Sequence, residues 1–154
     1  MSKKDMLNFL NGLSNTSLIN TLNIEYSEIG DDYLVAKMPV NSSVHQPDGI
    51  LHGGATAALA ETVGSTATRI FSNGNNQSRG IELSINHIRS VSKGYIFAKA
   101  KALHMGRSTQ LWNIEITSDQ PFNEFVKENI FNPLDMKDTD WNVPEEKLSR
   151  MVFV

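Results

Sequence analysis

The spacing of apolar residues changes from helical to alternating within the first forty positions. Helical spacing of apolar residues near the start predicts a short amphipathic helix over about residues 4–13. Residues 24–29 read as extended, and Gly30, Asp31 and Asp32 form a turn. The next strand carries four apolar residues on one face: Leu34, Ala36, Met38 and Val40. The chain therefore begins with a helix followed by a hairpin.

A longer helix of small apolar residues follows this hairpin. Residues 41–49 are rich in turn formers and predict a loop, after which the helix runs from about His52 to Phe71. It ends in the polar stretch 72–76, which is a strong stop signal. The alanines and glycines along this helix would allow a sheet to approach it closely.

Three more strands are predicted after the long helix. The first has Ile81, Leu83 and Ile85 on one face, the second covers 95–104, and the third alternates at Trp112, Ile114 and Ile116. Turns are expected at Lys93–Gly94 and at 105–107. One long helix among antiparallel hairpins indicates an α+β fold in which an antiparallel sheet wraps around a central helix.

Composition narrows the classes of function. The chain has 154 residues, a net charge of -3 and no cysteine. A disulfide framework, a thiolate zinc site and a cysteine nucleophile are therefore excluded, and no metal site is expected. No basic stripe suggests a nucleic-acid partner. The mixed N-terminus and the lack of a long apolar run predict a cytoplasmic protein without a membrane partner.

The start of the long helix carries the first candidate chemistry. Gly53 and Gly54 follow His52 and occupy the first helical turn, where backbone N–H groups lack helical partners. A substrate carbonyl oxygen could accept from these groups, because the helix dipole favours negative charge at this end. Alternatively, the two glycines only allow a tight entry from loop to helix.

A carboxylate inside the same helix is the second candidate. Glu61 is surrounded in sequence by small or apolar residues, namely Ala57, Ala58, Leu59, Ala60 and Val63. We therefore expect Glu61 to be buried, with a raised pKa, rather than on a solvated face. Such a carboxylate could activate water as a general base or attack the carbonyl itself. Ser65 lies one helical turn further on the same face and could orient the water or the carboxylate.

The spacing of these groups predicts an assembly. Gly53 and Glu61 are eight residues apart, which is about 12 Å along a helix. Two groups so far apart cannot both contact one carbonyl within a single subunit. If both act on the same carbonyl, they come from different subunits, and the site requires a dimer.

Four segments lie in order between about residues 22 and 118: Gln46-Pro47-x-Gly49-x-Leu51-His52-Gly53-Gly54, then Glu61 and Ser65, then Asn86-His87-Ile88-Arg89-Ser90, then Leu103-His104-x-Gly106-Arg107. With these segments, the stretch resembles the hotdog-fold acyl-CoA thioesterases. The resemblance is to the branch that acts on aromatic acyl thioesters, of the hydroxybenzoyl-CoA, dihydroxynaphthoyl-CoA and enterobactin-proofreading types. The implied activity is hydrolysis of an acyl-CoA, with CoA as part of the substrate and no cofactor.

The resemblance also implies residue roles. Gln46, His52 and Gly53 of one subunit would face Glu61 and Ser65 of the other, in a homodimer that is expected to form a homotetramer. The substrate would contact seven further positions: Gly54, His87, Arg89, Ser90, His104, Gly106 and Arg107. Arginines suit the CoA phosphates. Alternatively, His52 caps its own loop. His87 would lie on the same face of the predicted strand as Ile81 and could instead be a core residue.

Three other functions stay open at this stage. The chain could bind acyl-CoA without turnover, or it could serve as a structural or interaction protein. A hydratase or dehydratase on the same fold usually needs an Asp/His pair near the helix start, and Asp48 and His52 lie four residues apart there. Glu61 within the helix favours hydrolysis.

The C-terminal region departs from the thioesterase pattern. We expect a hotdog domain over 1–119 and an atypical tail over 120–154, which a gene fusion would explain. Residues 121–150 resemble a non-catalytic segment of β-lactamase-like serine hydrolases, so no activity follows from them. Hotdog thioesterases end in another long strand inside the sheet, whereas here a helix is expected over 121–131 and only 148–154 reads as extended.

Overall fold

The computed structural model describes residues 2–13, 17–72, 78–119, 127 and 131–136. Two compact units divide the chain, Met1–Asp119 and Gln120–Val154. The elements of the first unit, in chain order, are α1 (Lys3–Gly12), α2 (Leu18–Thr21), β1 (Glu25–Ile29), β2 (Tyr33–Val40), α3 (Gly53–Phe71), β3 (Gly94–Met105) and β4 (Gln110–Ser118). The strands form an antiparallel sheet in the order β1-β2-β3-β4. This confirms the predicted α+β class with one long helix.

The core lies between α3 and the inner face of the sheet. Strand alternation sends Leu34, Ala36 and Met38 of β2 inward, where all three are fully buried. They belong to one apolar cluster with Leu59 and Val63 of α3. Truncation of a fully buried leucine such as Leu59 to alanine typically costs about 2–5 kcal/mol of stability. Packing against the sheet thus fixes which side of α3 remains available for a site.

Gly64 lies where the sheet and the helix approach closely. A Cβ added there would lie 3.1 Å from Ile114 Cδ1 of β4. The Ile114 side chain would have to shift to make room for it, in agreement with the expectation that small residues let the sheet come close.

The first helix begins where its sequence provides a capping box. The Ser2 side chain accepts from the Asp5 N–H, while the Asp5 carboxylate accepts from the Ser2 N–H. Near the other end, the Asn11 side chain donates to Tyr26 O at 3.0 Å and accepts from Tyr26 N at 2.9 Å. The amide therefore takes the place of a neighbouring strand at the outer edge of β1.

The strand predicted at residues 81–86 is wrong. Residues 78–93 are irregular, and within the described ranges no strand pairs with them. Ile81 and Leu83 are exposed, although their alternation suggested a face towards the core. Alternation requires only an extended chain, whereas a strand also needs a neighbour that satisfies its backbone groups.

The second unit is described only at Lys127 and over 131–136. Asn132 N donates to Lys127 O, and Met136 N donates to Phe131 O at 2.8 Å. Most of the predicted helix over 121–131, and all of the extended segment 148–154, lie outside the described residues. The proposed fused origin of this tail stays a prediction. Where the structure describes the chain, none of its helices is long and apolar enough to cross a membrane.

Candidate active site

The first turn of α3 has one N–H group that is left available. His52 caps the helix: its Nδ1 accepts from the Gly54 N–H at 2.8 Å, and its carbonyl accepts from Ala55 N and Thr56 N. Gly53 N–H has no acceptor among the described residues, and at the first helical position it has no helical partner either. The alternative role of His52 as a cap is thus present in the structure, and of the two glycine N–H groups only that of Gly53 remains available.

The loop before α3 is held by backbone hydrogen bonds. Gln46 N donates to Ile50 O, and His52 N donates to Val44 O at 2.9 Å. The loop is also tied to the segment after residue 90, because Leu51 N donates to Val91 O and the ring of His45 bonds to Ser92 O. The position of the Gly53 N–H therefore depends on two chain segments rather than on α3 alone.

Gln46 and Asp48 pair with each other within this loop. Gln46 Nε2 donates to Asp48 Oδ2 at 3.1 Å. Because His52 Nδ1 accepts from Gly54, Asp48 and His52 form different bonds, and the pair that a hydratase would use is not assembled. The side-chain amide of Gln46 bonds to Asp48 rather than to His52.

His87 lies beside the helix start. A Cβ added at Gly53 would be 3.0 Å from His87 Nε2, so glycine is what allows the imidazole to approach. His87 is exposed, and its interpretation as a core residue is therefore wrong. The ring instead lies next to Gly53 at the start of α3.

Glu61 and Ser65 form a hydrogen-bonded pair on α3. Ser65 Oγ donates to Glu61 Oε1 at 2.8 Å, as the one-turn spacing predicted. Glu61 is exposed in the single chain, so the expected burial is wrong. The reason is that its large apolar neighbours, Leu59 and Val63, face the core, whereas Glu61 faces away from it. A Cβ added at Gly80 would be 2.6 Å from Glu61 Oε1, so glycine there leaves room for the carboxylate.

An open groove of about 790 Å³ extends from this pair along α3. The lining residues of α3, and Ser72 directly after it, share one face at helical spacing: Ala60, Glu61, Gly64, Ser65, Thr68, Phe71 and Ser72. Residues 78–83, Met105–Trp112 and Ile114 complete the lining. Buried Ser78 Oγ has no hydrogen-bond partner among the described residues. The groove thus combines a carboxylate at one position with apolar side chains further along the helix.

The remaining predicted positions lie in two places. Gly106 and Arg107 line the groove, and His104 Nε2 is 2.7 Å from where a Gly106 Cβ would be. Arg89 NH2 donates to Ser118 Oγ at 3.3 Å, and Ser90 is exposed beside it. These latter two residues are outside the groove lining. Across the part of the chain that is described, no group of three acidic or histidine side chains could hold a metal ion.

Sequence reasoning missed several residues that line the groove. Thr68 and Phe71 follow Glu61 at seven and ten residues and could have been found from helical spacing. Trp112 is on the same strand face as Ile114, so the alternation that predicted β4 contained the signal. Gly80 had no comparable signal, because its contact with Glu61 is made through the tertiary structure.

Comparison with known proteins shows the family of the chain. The thioesterase superfamily profile matches residues 48–121. The chain is 46% identical over 114 residues to the proofreading thioesterase EntH of Cronobacter turicensis, which covers 74% of this chain and 83% of the relative. It is 40% identical over 118 residues to the 1,4-dihydroxy-2-naphthoyl-CoA hydrolase of Escherichia coli K12, covering 77% and 87%.

Solved structures show the same similarity. A crystallised thioesterase of Haemophilus influenzae superposes with a TM-score of 0.71 at 39% identity, covering 73% of this chain and 79% of the other. A Pseudomonas aeruginosa thioesterase superposes with a TM-score of 0.69 at 38% identity, covering 73% and 82%. The hotdog fold expected for residues 22–118 is thereby confirmed.

Proposed function

Because this chain belongs to the thioesterase superfamily and is a thioester hydrolase, we propose that it hydrolyses acyl-CoA to a free acid and CoA, with an aromatic or short acyl group. The assignment of residues rests on one observation: the same helix presents a hydrogen-bond donor and a carboxylate. α3 offers an available N–H at Gly53 and a Ser65-bonded carboxylate at Glu61. The name of one relative, a 1,4-dihydroxy-2-naphthoyl-CoA hydrolase, supports an aromatic acyl group.

Gly53 would stabilise the charge that develops on the thioester oxygen. Its N–H is at the positive end of α3 and has no other acceptor among the described residues. Loss of one such donor typically raises a barrier by about 3–4 kcal/mol. We propose that Gln46, His52, Gly54 and His87 surround this oxygen, because all four lie in the loop or beside the first turn.

Glu61 would perform the chemical step in one of two ways. As a general base, it takes a proton from water while the water oxygen bonds to the carbonyl carbon; the C–S bond then breaks and the proton passes to the CoA thiolate. As a nucleophile, its carboxylate displaces the CoA thiolate to form an anhydride, which water then hydrolyses. Ser65 would hold the carboxylate in place through its hydrogen bond.

A dimer would bring the two halves of the site together. The eight residues between Gly53 and Glu61 amount to about 12 Å of helix, too far for both to contact one carbonyl within a subunit. We therefore propose a homodimer in which Gly53 of one protomer and Glu61 of its partner act on one thioester, with a homotetramer as its further assembly. Arg89, Ser90, His104, Gly106 and Arg107 are proposed contacts for the CoA portion.

The proposal is tested by replacing the carboxylate. Glu61→Gln keeps the shape of the side chain but removes the carboxylate that could act as base or nucleophile. Glu115→Gln makes the same change at an exposed position outside the groove and serves as the control. Benzoyl-CoA and butyryl-CoA hydrolysis is followed by thiol release. We expect the first variant to lose activity by at least about a hundredfold and the control to match the wild type. Full activity of Glu61→Gln would refute the assignment.

Isotope labelling separates the two roles of Glu61. A single turnover in H₂¹⁸O places label only in the released acid if Glu61 is a general base. A nucleophilic Glu61 can retain the label when water attacks the anhydride at the enzyme carbonyl, and mass spectrometry of the Glu61 peptide detects it.

Complementation tests the assembly. We expect the Glu61→Gln and Gly53→Pro variants each to be inactive on their own. A heterodimer of one Glu61→Gln subunit and one Gly53→Pro subunit would contain one intact site if Gly53 and Glu61 of each site come from different subunits. After unfolding and refolding of an equal mixture, about a quarter of wild-type activity should return. No recovery in a mixture that has exchanged subunits would place both groups in one subunit or show that they do not act together.

A further inference from the structure

We propose that Gly80 is a positioning residue for the hydrolysis, because its lack of a side chain sets where the carboxylate of Glu61 lies beside Ser65. This inference rests on the proposed function, since it takes Glu61 as the group that reacts. It adds a residue from outside α3 whose effect on the reaction passes entirely through Glu61.

The backbone of Gly80 does not itself require glycine. Among the described glycines, Gly49 and Gly94 have a positive φ, whereas Gly80 does not. Alanine could therefore adopt the same backbone conformation. The three heavy atoms nearest to a Cβ added at Gly80 all belong to the carboxylate of Glu61, with Oε1 at 2.6 Å and both Cδ and Oε2 at 3.1 Å. A side chain at position 80 would thus meet the reacting group first.

The closest of these contacts falls on the oxygen that Ser65 holds. Glu61 Oε1 accepts from Ser65 Oγ at 2.8 Å, and no described residue donates to Oε2. Ordinary van der Waals contact begins at 3.4 Å, so a Cβ at position 80 would displace Oε1 by about 0.8 Å or more. The carboxylate therefore lies between a hydroxyl that holds one oxygen and a bare backbone that leaves space for both. Oε2 is the oxygen left for water or for the carbonyl carbon.

Displacement of the carboxylate should affect the rate far more than the stability. Glu61 is exposed, and its carboxylate ends a flexible side chain that can move aside at little cost to folding. A misplacement of about 1 Å can nevertheless lower a rate by about 10²-fold, because the reacting atoms must be close and aligned. Glycine at position 80 is therefore expected to serve the reaction rather than the fold.

Gly80→Ala tests this placement, and Gly12→Ala is the matched control because a Cβ there meets nothing within 4 Å. With benzoyl-CoA as the substrate, we expect Gly80→Ala to lower kcat by about 10–10²-fold. Its KM and its urea midpoint of unfolding should stay at the wild-type values, and the control should match the wild type in all three. A change in KM alone, or a lowered midpoint that accounts for the lost rate, would overturn the inference.

A shorter carboxylate distinguishes a positioning role from a structural one. Aspartate at position 61 is one methylene shorter and should no longer meet the Cβ of Gly80→Ala. Glu61→Asp alone should lower kcat by about tenfold or more, but in the Gly80→Ala background it should lower kcat by less than about twofold or raise it. Losses that simply multiply in Gly80→Ala/Glu61→Asp would contradict a positioning role.

Glu61→Gln separates this inference from the proposed function. Full activity of Glu61→Gln would refute the proposed function and the inference with it. A wild-type kcat in Gly80→Ala beside an inactive Glu61→Gln would overturn the inference alone. A crystal structure of Gly80→Ala gives a readout without turnover: we expect Glu61 Oε1 to be displaced by about 0.8 Å or more. A carboxylate in its original place would also overturn the inference.

Discussion

Ser65 Oγ donates a hydrogen bond to Glu61 Oε1 across 2.8 Å, so one turn of α3 contains both a carboxylate and the group that orients it. A bond to a charged acceptor is stronger than one between neutral groups. It also restricts the rotamers of an exposed glutamate, which would otherwise move freely in solvent.

Removal of the Ser65 hydroxyl should impair the reaction without removing the carboxylate. We expect Ser65→Ala to lower kcat by about tenfold, since hydrogen bonds to charged groups are worth about 1.5–3 kcal/mol. Ser65→Thr retains a hydroxyl and should recover most of the rate. The measurement is steady-state hydrolysis of benzoyl-CoA. If alanine and threonine behave alike, the bond has no catalytic effect.

Gly53→Pro should remove the oxyanion donor while the helix start is kept. Proline is favoured at the first helical position, and His52, at φ -69° and ψ 131°, already has the extended backbone that precedes proline. We expect kcat to fall by about 10²–10³. Gly53→Ala is the matched control, because its Cβ also meets the His87 ring but its N–H remains. An equal loss in both variants would assign the effect to the clash.

His52→Ala should destabilise the protein by removing the cap of α3. The lost bond from the Gly54 N–H is expected to cost about 1 kcal/mol in the free energy of unfolding. His52→Asn again provides a side-chain acceptor and should recover most of the lost free energy of unfolding. Urea unfolding monitored by circular dichroism measures both. Unchanged stability in the alanine variant would contradict the capping role.

Asn11→Ala should weaken the outer edge of β1. Both hydrogen bonds to the Tyr26 backbone are lost, which we expect to cost about 1–3 kcal/mol. Asn8→Ala is the matched control on the exposed side of α1 and should be neutral or slightly stabilising through its helix propensity. Light scattering on storage should also increase for Asn11→Ala, because an edge without a partner can pair with another chain. Equal unfolding free energies for the two variants would refute this.

Tyr26 should make stability depend on alkaline pH. Its burial raises the pKa of the phenol above the ordinary 10.0, against the lowering effect of its hydrogen bond with Thr66. The folded state therefore holds the proton more strongly than the unfolded state does. That contribution is complete below about pH 10 and is lost as pH rises through the folded pKa. Tyr26→Phe should lose less stability than the wild type between about pH 9 and 11.5 in urea titrations. Parallel losses would exclude Tyr26 as the cause.

The position of the long helix and the contacts within it were well predicted, whereas strand pairing and burial were not. The helix expected from about His52 to Phe71 is α3, and the one-turn spacing of Glu61 and Ser65 correctly gave their contact. The strand at 81–86 and the burial of Glu61 were wrong for a common reason. Both depend on which other parts of the chain come close, and apolar neighbours in sequence need not be neighbours on the same helix face.

The sequence by itself determined the α+β class, the position of the long helix, the glycines at its start and the carboxylate eight residues later, because these follow from local periodicity and from residue type. Only the tertiary structure decided which first-turn N–H remains available, what stands beside Gly53 and Glu61, and where Trp112 meets Phe71. These depend on side-chain directions and on contacts between distant segments. His87 and Gly80 reach α3 from a part of the chain whose path no local pattern specifies.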